Sequence, residues 1–214
     1  MTVALDVDPE AARSWIAQTQ PSHPSLIDSA HRVDELFGVV NVPNGVWIDE
    51  NGAIVRPAEP ASPERDGPPE WHKMAERPDV PEQLRETLRL ATRIRSQGNE
   101  YVSAVRDWVA NGSASRFALP PKEVITRSGS RGRNEAQAAA CFEMGKYLWD
   151  NGRRDLAPRH WREAHRLQPD NWTYKRQAWS LADPFQGPTT LYDSCWAEDV
   201  KKIGPENYYP ALDL

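Results

Sequence analysis

Cysteine is almost missing from the chain. Cys141 and Cys195 are its two thiols, and they stand far apart with no CxxC pair. A disulfide framework and a cysteine metal site are therefore not expected. Histidine is also sparse, at positions 23, 31, 72, 160 and 165. His160 and His165 stand at i and i+5 on an expected helix and miss the shared face that an i, i+4 pair has. No metal and no cofactor are expected. No apolar run approaches the roughly 18 residues that a membrane span requires. A net charge of −5 and a pI near 5.6 deny the chain the broad positive field that holds nucleic-acid phosphates. The short basic stretch from Arg127 through Arg131 to Arg133 reads as an anion contact or as a solvated loop. GxSxG, P-loop and HExxH patterns are missing, and no catalytic residue is assigned. The opening MTVALDVDPE has neither the basic start nor the apolar core of a secretory signal, so the expected location is cytoplasmic.

Proline is abundant instead, with 19 in 214 residues, and hydrophobic residues make up 39% at a mean hydropathy of −0.73. These values suit a modest core with stiff connectors. Thr2 to Val7 reads as a strand. Asp8, Pro9 and Glu10 then form a helix start: a side-chain acceptor, a proline in the first turn, and an acid at the positive end of the dipole. Asp6 and Asp8 are close enough for paired acid–base work, but capping by Asp8 is the simpler reading. The helix carries Ala11, Ala12, Trp15 and Ile16 and ends before Pro21 and Pro24. Ser25 to Asp28 is extended. Ser29 to Phe37 is a second helix with Val33, Leu36 and Phe37 on one side, closed by Gly38. Asp28, Asp34 and Glu35 are expected to be solvated or capping.

Residues 39 to 55, VVNVPNGVWIDENGAIV, follow. Val46 to Asp49 and Ala53 to Arg56 are expected strands joined through Glu50, Asn51 and Gly52, where Asn-Gly supplies positive φ. A proline-rich linker spans residues 57–81. Glu82 to Ala110 has helical periodicity with a break at Gly98-Asn99. Residues 113–133 read as an irregular connector, Asn134 to Leu167 as a helix pair turning at Asp150 to Gly152, and Trp172 to Trp179 as a further helix. The tail from Asp183 is aromatic and expected to pack down. Trp15, Trp108 and Trp161, at helical spacing, are expected core anchors.

Two stretches resemble known families. Over residues 2 to 60, Leu26 to Asp28, Leu36 to Val39, Val42-Pro43, Ile48-Asp49, Gly52 and Ile54-Val55 fall in step with a thioredoxin-like protein of the thiol-disulfide reductase branch related to ResA and TlpA. The resemblance implies a cis peptide before Pro43 and a substrate-binding role for Val42, Pro43 and Asn44, in which the Val42 backbone would pair with a substrate strand. Asn44 stands where the family has threonine. The family's CxxC motif belongs ahead of the first strand, and neither Cys141 nor Cys195 takes its place, so disulfide exchange lacks its thiolate. Over residues 138 to 171, Gly145, Leu148, Ala157, Trp161, Ala164 and Pro169 match the small and large positions of one tetratricopeptide-like repeat. That unit reads equally as a peptide-binding groove or as a hairpin packed on its own chain.

The expected fold class is α/β followed by α: an incomplete thioredoxin-like sheet, then a helical region with a tetratricopeptide-like hairpin. Its expected segments are 1–60, 61–133, 134–182 and 183–214. Two functions are open, beside an enzyme of unrelated chemistry lodged between the sheet and the aromatic tail, which no residue constellation supports beyond the tryptophan count. One is a noncatalytic protein- or peptide-binding module, with an open sheet edge that also suits a homodimer. The other is a thiol-disulfide oxidoreductase whose CxxC- or selenocysteine-bearing segment precedes Met1.

Overall fold

The computed structural model describes residues 1–63, 70–183 and 194–214. Parts of the expected 57–81 linker and of the aromatic tail lie outside the described residues. The architecture is mixed α/β, and the chain divides into two compact units that interleave in sequence. The first comprises Met1–Val42 with Ser128–Asp193, and the second Pro43–Arg127 with Ser194–Leu214. The expected 1–60 segment is thus split between Val42 and Pro43. Its strands form two separate two-stranded sheets among the described residues rather than one incomplete sheet. Local pattern specifies strands, whereas pairing depends on distant partners that pattern does not name.

The first unit begins with β1 (Thr2–Ala4), α1 (Pro9–Thr19), β2 (Ser25–Ile27) and α2 (Arg32–Phe37). β1 and β2 pair in parallel, with Val3 opposite Leu26. Asp8 caps α1 by accepting from the Glu10 N–H at 3.0 Å, with Pro9 in the first turn, as expected. Gly38 closes α2 in the left-handed region (φ 71°). The Asp28 carboxylate accepts from the Val33 N–H at 2.6 Å and so satisfies one of that helix's orphan donors.

Two expectations about buried faces fail here. Trp15 is 68% exposed and is no core anchor, because a two-stranded sheet is too narrow to cover a whole helix face, and α1 buries only Ala12 fully. On α2, Leu36 is 76% exposed while Asp34 is buried. The helix turns its acid inward to meet His31, so Asp34 is not the solvated residue the sequence suggests.

In the second unit, β3 (Asn44–Ile48) and β4 (Ile54–Pro60) form the expected antiparallel hairpin. Asp49 Oδ1 accepts from the N–H groups of Asn51 and Ala53, and Gly52 takes φ 80°. Then come α3 (Glu70–Met74), α4 (Glu82–Thr92), α5 (Gly98–Asn111) and α6 (Pro121–Ser128). The long helix does break, but over residues 93–97, so that Gly98 and Asn99 open α5 rather than form the break, and α3 and α6 fall where only linkers were expected. Trp47 anchors the core with Ala104 and Phe117. Its indole N–H donates to the Tyr101 hydroxyl at 3.0 Å, and its ring stacks on Trp108 at 5.1 Å. Beside it, the fully buried Arg56 guanidinium lies over the Trp47 ring. It donates to the Glu59 carboxylate, the Phe117 carbonyl (3.0 Å) and the Asp213 carbonyl (2.7 Å). A buried charge is tolerable only when partnered in this way, and the partners tie the C-terminal tail to the hairpin.

The rest of the first unit is helical: α7 (Arg133–Asp150), α8 (Ala157–Leu167) and α9 (Trp172–Ala182). In the second unit, α10 (Trp196–Ile203) and the tail pack down as expected, with Val200 and Tyr208 buried. α7 and α8 form a tight hairpin in which Trp161 is fully buried. A Cβ at Gly145 would overlap the Trp161 indole, so glycine sets the helix separation. Gly145→Ala gains about 1 kcal/mol of helix propensity but overpacks the contact at a cost of about 1–3 kcal/mol. Because the indole is hemmed in, the overlap is expected to win, with a net loss of stability in urea unfolding. A variant more stable than the parent would contradict the close approach.

Candidate polypeptide-binding edge

The parallel pair β1–β2 has a defined hydrogen-bonding parity. The Thr2 N–H donates to the Pro24 carbonyl at 3.0 Å, and the Asp28 N–H donates to the Ala4 carbonyl at 2.8 Å. In a parallel ladder, alternate residues face the partner strand. With Thr2 opposite Ser25, the peptide groups of Ser25 and Ile27 therefore point away from β1. Among the described residues, no group bonds those outward N–H and C=O groups. Leu26 between them is 50% exposed. The outer side of β1 is partly occupied, since the Gln177 side chain on α9 donates to the Leu5 carbonyl at 2.9 Å. β2 thus carries a short unpaired edge with an apolar side chain at its centre.

Val42, Pro43 and Asn44 fall on both sides of the boundary between the units. The Val42 N–H donates to Asn41 Oδ1 at 2.9 Å, and the Pro43 carbonyl accepts from the Ala61 N–H at 3.1 Å. Asn44 opens β3 opposite Pro60, and its side-chain oxygen is buried without a hydrogen bond. One donor and one acceptor that a substrate strand would use already have partners within the chain.

Sequence reasoning missed a buried pair. His31 Nδ1 and Asp34 Oδ2 lie 2.8 Å apart, and each side chain is 1% exposed. His31 takes φ 56°, a left-handed conformation uncommon outside glycine. Its ring meets Phe142 edge-on at 5.0 Å, and Phe142 stacks on Tyr174 at 4.4 Å. Burial, then the carboxylates of Asp34 and Glu35, push the Tyr174 hydroxyl well above its ordinary pKa. The H-x-x-D spacing was the available signal. A histidine oriented by a carboxylate has the form of a general base, but no substrate reaches a pair this deeply enclosed. It acts as a polar pin between α2 and α7.

The remaining candidates resolve into intrachain contacts. Arg131 pairs with Glu35, and Arg127 with Glu123 at 2.7 Å and with Asp213 at 2.8 Å. Arg127 and Arg131 of the basic stretch are therefore neutralised locally. Asp6 accepts from the Asp8 N–H at 3.3 Å and is held above the usual carboxylate range mainly by burial. Among the described residues no cluster of histidine, cysteine and acid side chains fits a metal, and no helix is long and apolar enough to cross a membrane. Compared with protein-family models, curated proteins and solved structures, the chain matches none.

Both thiols are free, and they lie in different units. Burial, then the neighbouring Glu163 carboxylate, raises the Cys141 pKa, and Cys195 is 2% exposed. A raised thiol pKa leaves less thiolate at neutral pH, the reverse of a redox nucleophile. Alkylation of Cys141 is expected to be slower than that of a free cysteine at pH 7 and to rise with pH to a midpoint above the ordinary thiol value of about 8.5. Cys195 is expected to react only on unfolding. A rate–pH midpoint below the ordinary value would show an activated thiolate.

Proposed function

We propose that the chain is a noncatalytic polypeptide-binding protein of thioredoxin-like type that holds an extended segment of its partner by strand addition. The observation that carries this reading is the outward pair of peptide groups at Ser25 and Ile27, flanking an exposed Leu26. An added strand satisfies those groups, and its side chains meet Leu26 on one face. The resemblance over residues 2 to 60 favours polypeptide as the ligand class. The tetratricopeptide-like spacing over residues 138 to 171 agrees with it, and the Gly145–Trp161 contact suits such a unit. The raised pKa of Cys141 and the enclosure of Cys195 favour holding over reduction. In this reading the docking edge is β2 of the first unit.

Ile27→Pro tests the proposal with little collateral damage. The N–H it removes points outward, so the ladder to β1 is kept, and edge positions tolerate proline. Binding to an immobilised set of short random-sequence peptides is expected to weaken about fivefold, the worth of one neutral hydrogen bond of about 1 kcal/mol. Circular dichroism is expected to stay unchanged. Peptide retention equal to that of the parent would rule out strand addition at β2.

A further inference from the structure

The β2 edge carries different side-chain chemistry at its two ends. Successive side chains of a strand alternate between faces, so Ser25 and Ile27 share one face and Leu26 takes the other. The register sets Thr2 beside Ser25, Val3 beside Leu26 and Ala4 beside Ile27. At the Ser25 end, Thr2 Oγ1 lies 3.0 Å from Ser25 Oγ and 3.2 Å from Nε2 of the exposed His23. At the centre, Leu26 is 50% exposed beside the half-buried Val3. At the far end, Ile27 is half-buried beside Ala4. The edge is polar where it starts and apolar from Leu26 onward.

The polar cluster holds more hydrogens than it uses. Two hydroxyls and an imidazole supply at least three donor hydrogens, and the two contacts among them consume two. The relay runs in either sense. From His23 through Thr2 to Ser25, it leaves the Ser25 hydroxyl hydrogen for an incoming acceptor.

An added strand places each side chain on the same face as the residue it opposes, and such pairs set the preference of a sheet for its neighbours. Antiparallel ladders are the more stable per residue. In an antiparallel partner, Ser25 and Ile27 become the hydrogen-bonded positions, because their peptide groups point outward. Leu26 becomes the position without backbone bonds, where facing side chains come closest.

Resting on the strand-addition reading above, we propose that β2 selects a segment that reads apolar, apolar, acceptor-bearing from its N- to its C-terminal end. The first residue opposes Ile27 and the second packs on Leu26. The third opposes Ser25 and accepts from its hydroxyl through a short carbonyl-bearing side chain, as in asparagine.

Three labelled peptides of equal composition, capped at both ends and flanked by glycine and serine, are titrated with the full chain by fluorescence polarisation. Their centres read Val-Leu-Asn, Asn-Leu-Val and Val-Asn-Leu. Val-Leu-Asn is expected to bind about fivefold more tightly than either of the others, the worth of one neutral hydrogen bond. The parent is also expected to prefer Val-Leu-Asn to Val-Leu-Ala about fivefold, and Ser25→Ala to bind the two alike with unchanged circular dichroism. Ile27→Pro is expected to weaken all the peptides, because the backbone bond it removes is common to them. Equal binding of the three centres, with Ile27→Pro still weakening each, would overturn the selectivity and leave strand addition standing. Tighter binding of Asn-Leu-Val would overturn the direction, and an asparagine preference that survives Ser25→Ala would overturn the role of the hydroxyl. Binding of none of the peptides would overturn strand addition and this selectivity together.

Discussion

A sheet of two strands exposes both faces and both edges, so each strand pair in this chain depends on what covers it. In the second unit the cover reaches Trp47 and Arg56, while Ile48 and Ile54 stay exposed. β3–β4 sets Trp47 into a core with Ala104 and Phe117, and Arg56 binds the hairpin to the carbonyls of Phe117 and Asp213. In the first unit the cover is partial. α1 shields part of β2, and Gln177 reaches the outer side of β1, but none of the described residues bonds the outward peptide groups of β2. The same shortage of surface leaves Trp15 and Leu26 in solvent. An unpaired edge is a hazard in a free protein and a template for a partner strand, and its shortness limits the hazard.

Features decided within a few residues were legible in the sequence. The Asp8-Pro9-Glu10 start, the Gly38 stop and the Asn51-Gly52 turn stand as expected, because capping and turn chemistry act locally. Features decided by distant partners were not. Asp34 sits at a position that periodicity gives to solvent, and only its contact with His31 explains its burial. Arg56 looks like an exposed strand residue until Glu59, Phe117 and Asp213 converge on it. The interleaving of the two units was invisible for the same reason, since residues 128 onward complete the unit that residues 1–42 begin.

The candidate site divides along the same line. The sequence points to Val42, Pro43 and Asn44 as substrate-binding residues, but a donor and an acceptor there are already used within the chain. Among the described residues, outward peptide groups without a partner lie at β2, a location that follows from the parity of the β1–β2 ladder and needs the register to be seen. The thiols complete the contrast. Cys141 is pushed toward its neutral form and Cys195 is enclosed, the reverse of an activated thiolate.

Residue-resolved amide exchange of the free chain tests the open edge most directly. The Thr2 and Asp28 N–H groups, which donate to the Pro24 and Ala4 carbonyls, are expected to be protected to the same degree as one another. The Ser25 and Ile27 N–H groups are expected to exchange much faster than either. Protection of the Ile27 amide equal to that of Asp28 would mean that the chain already covers this edge, and would contradict the account.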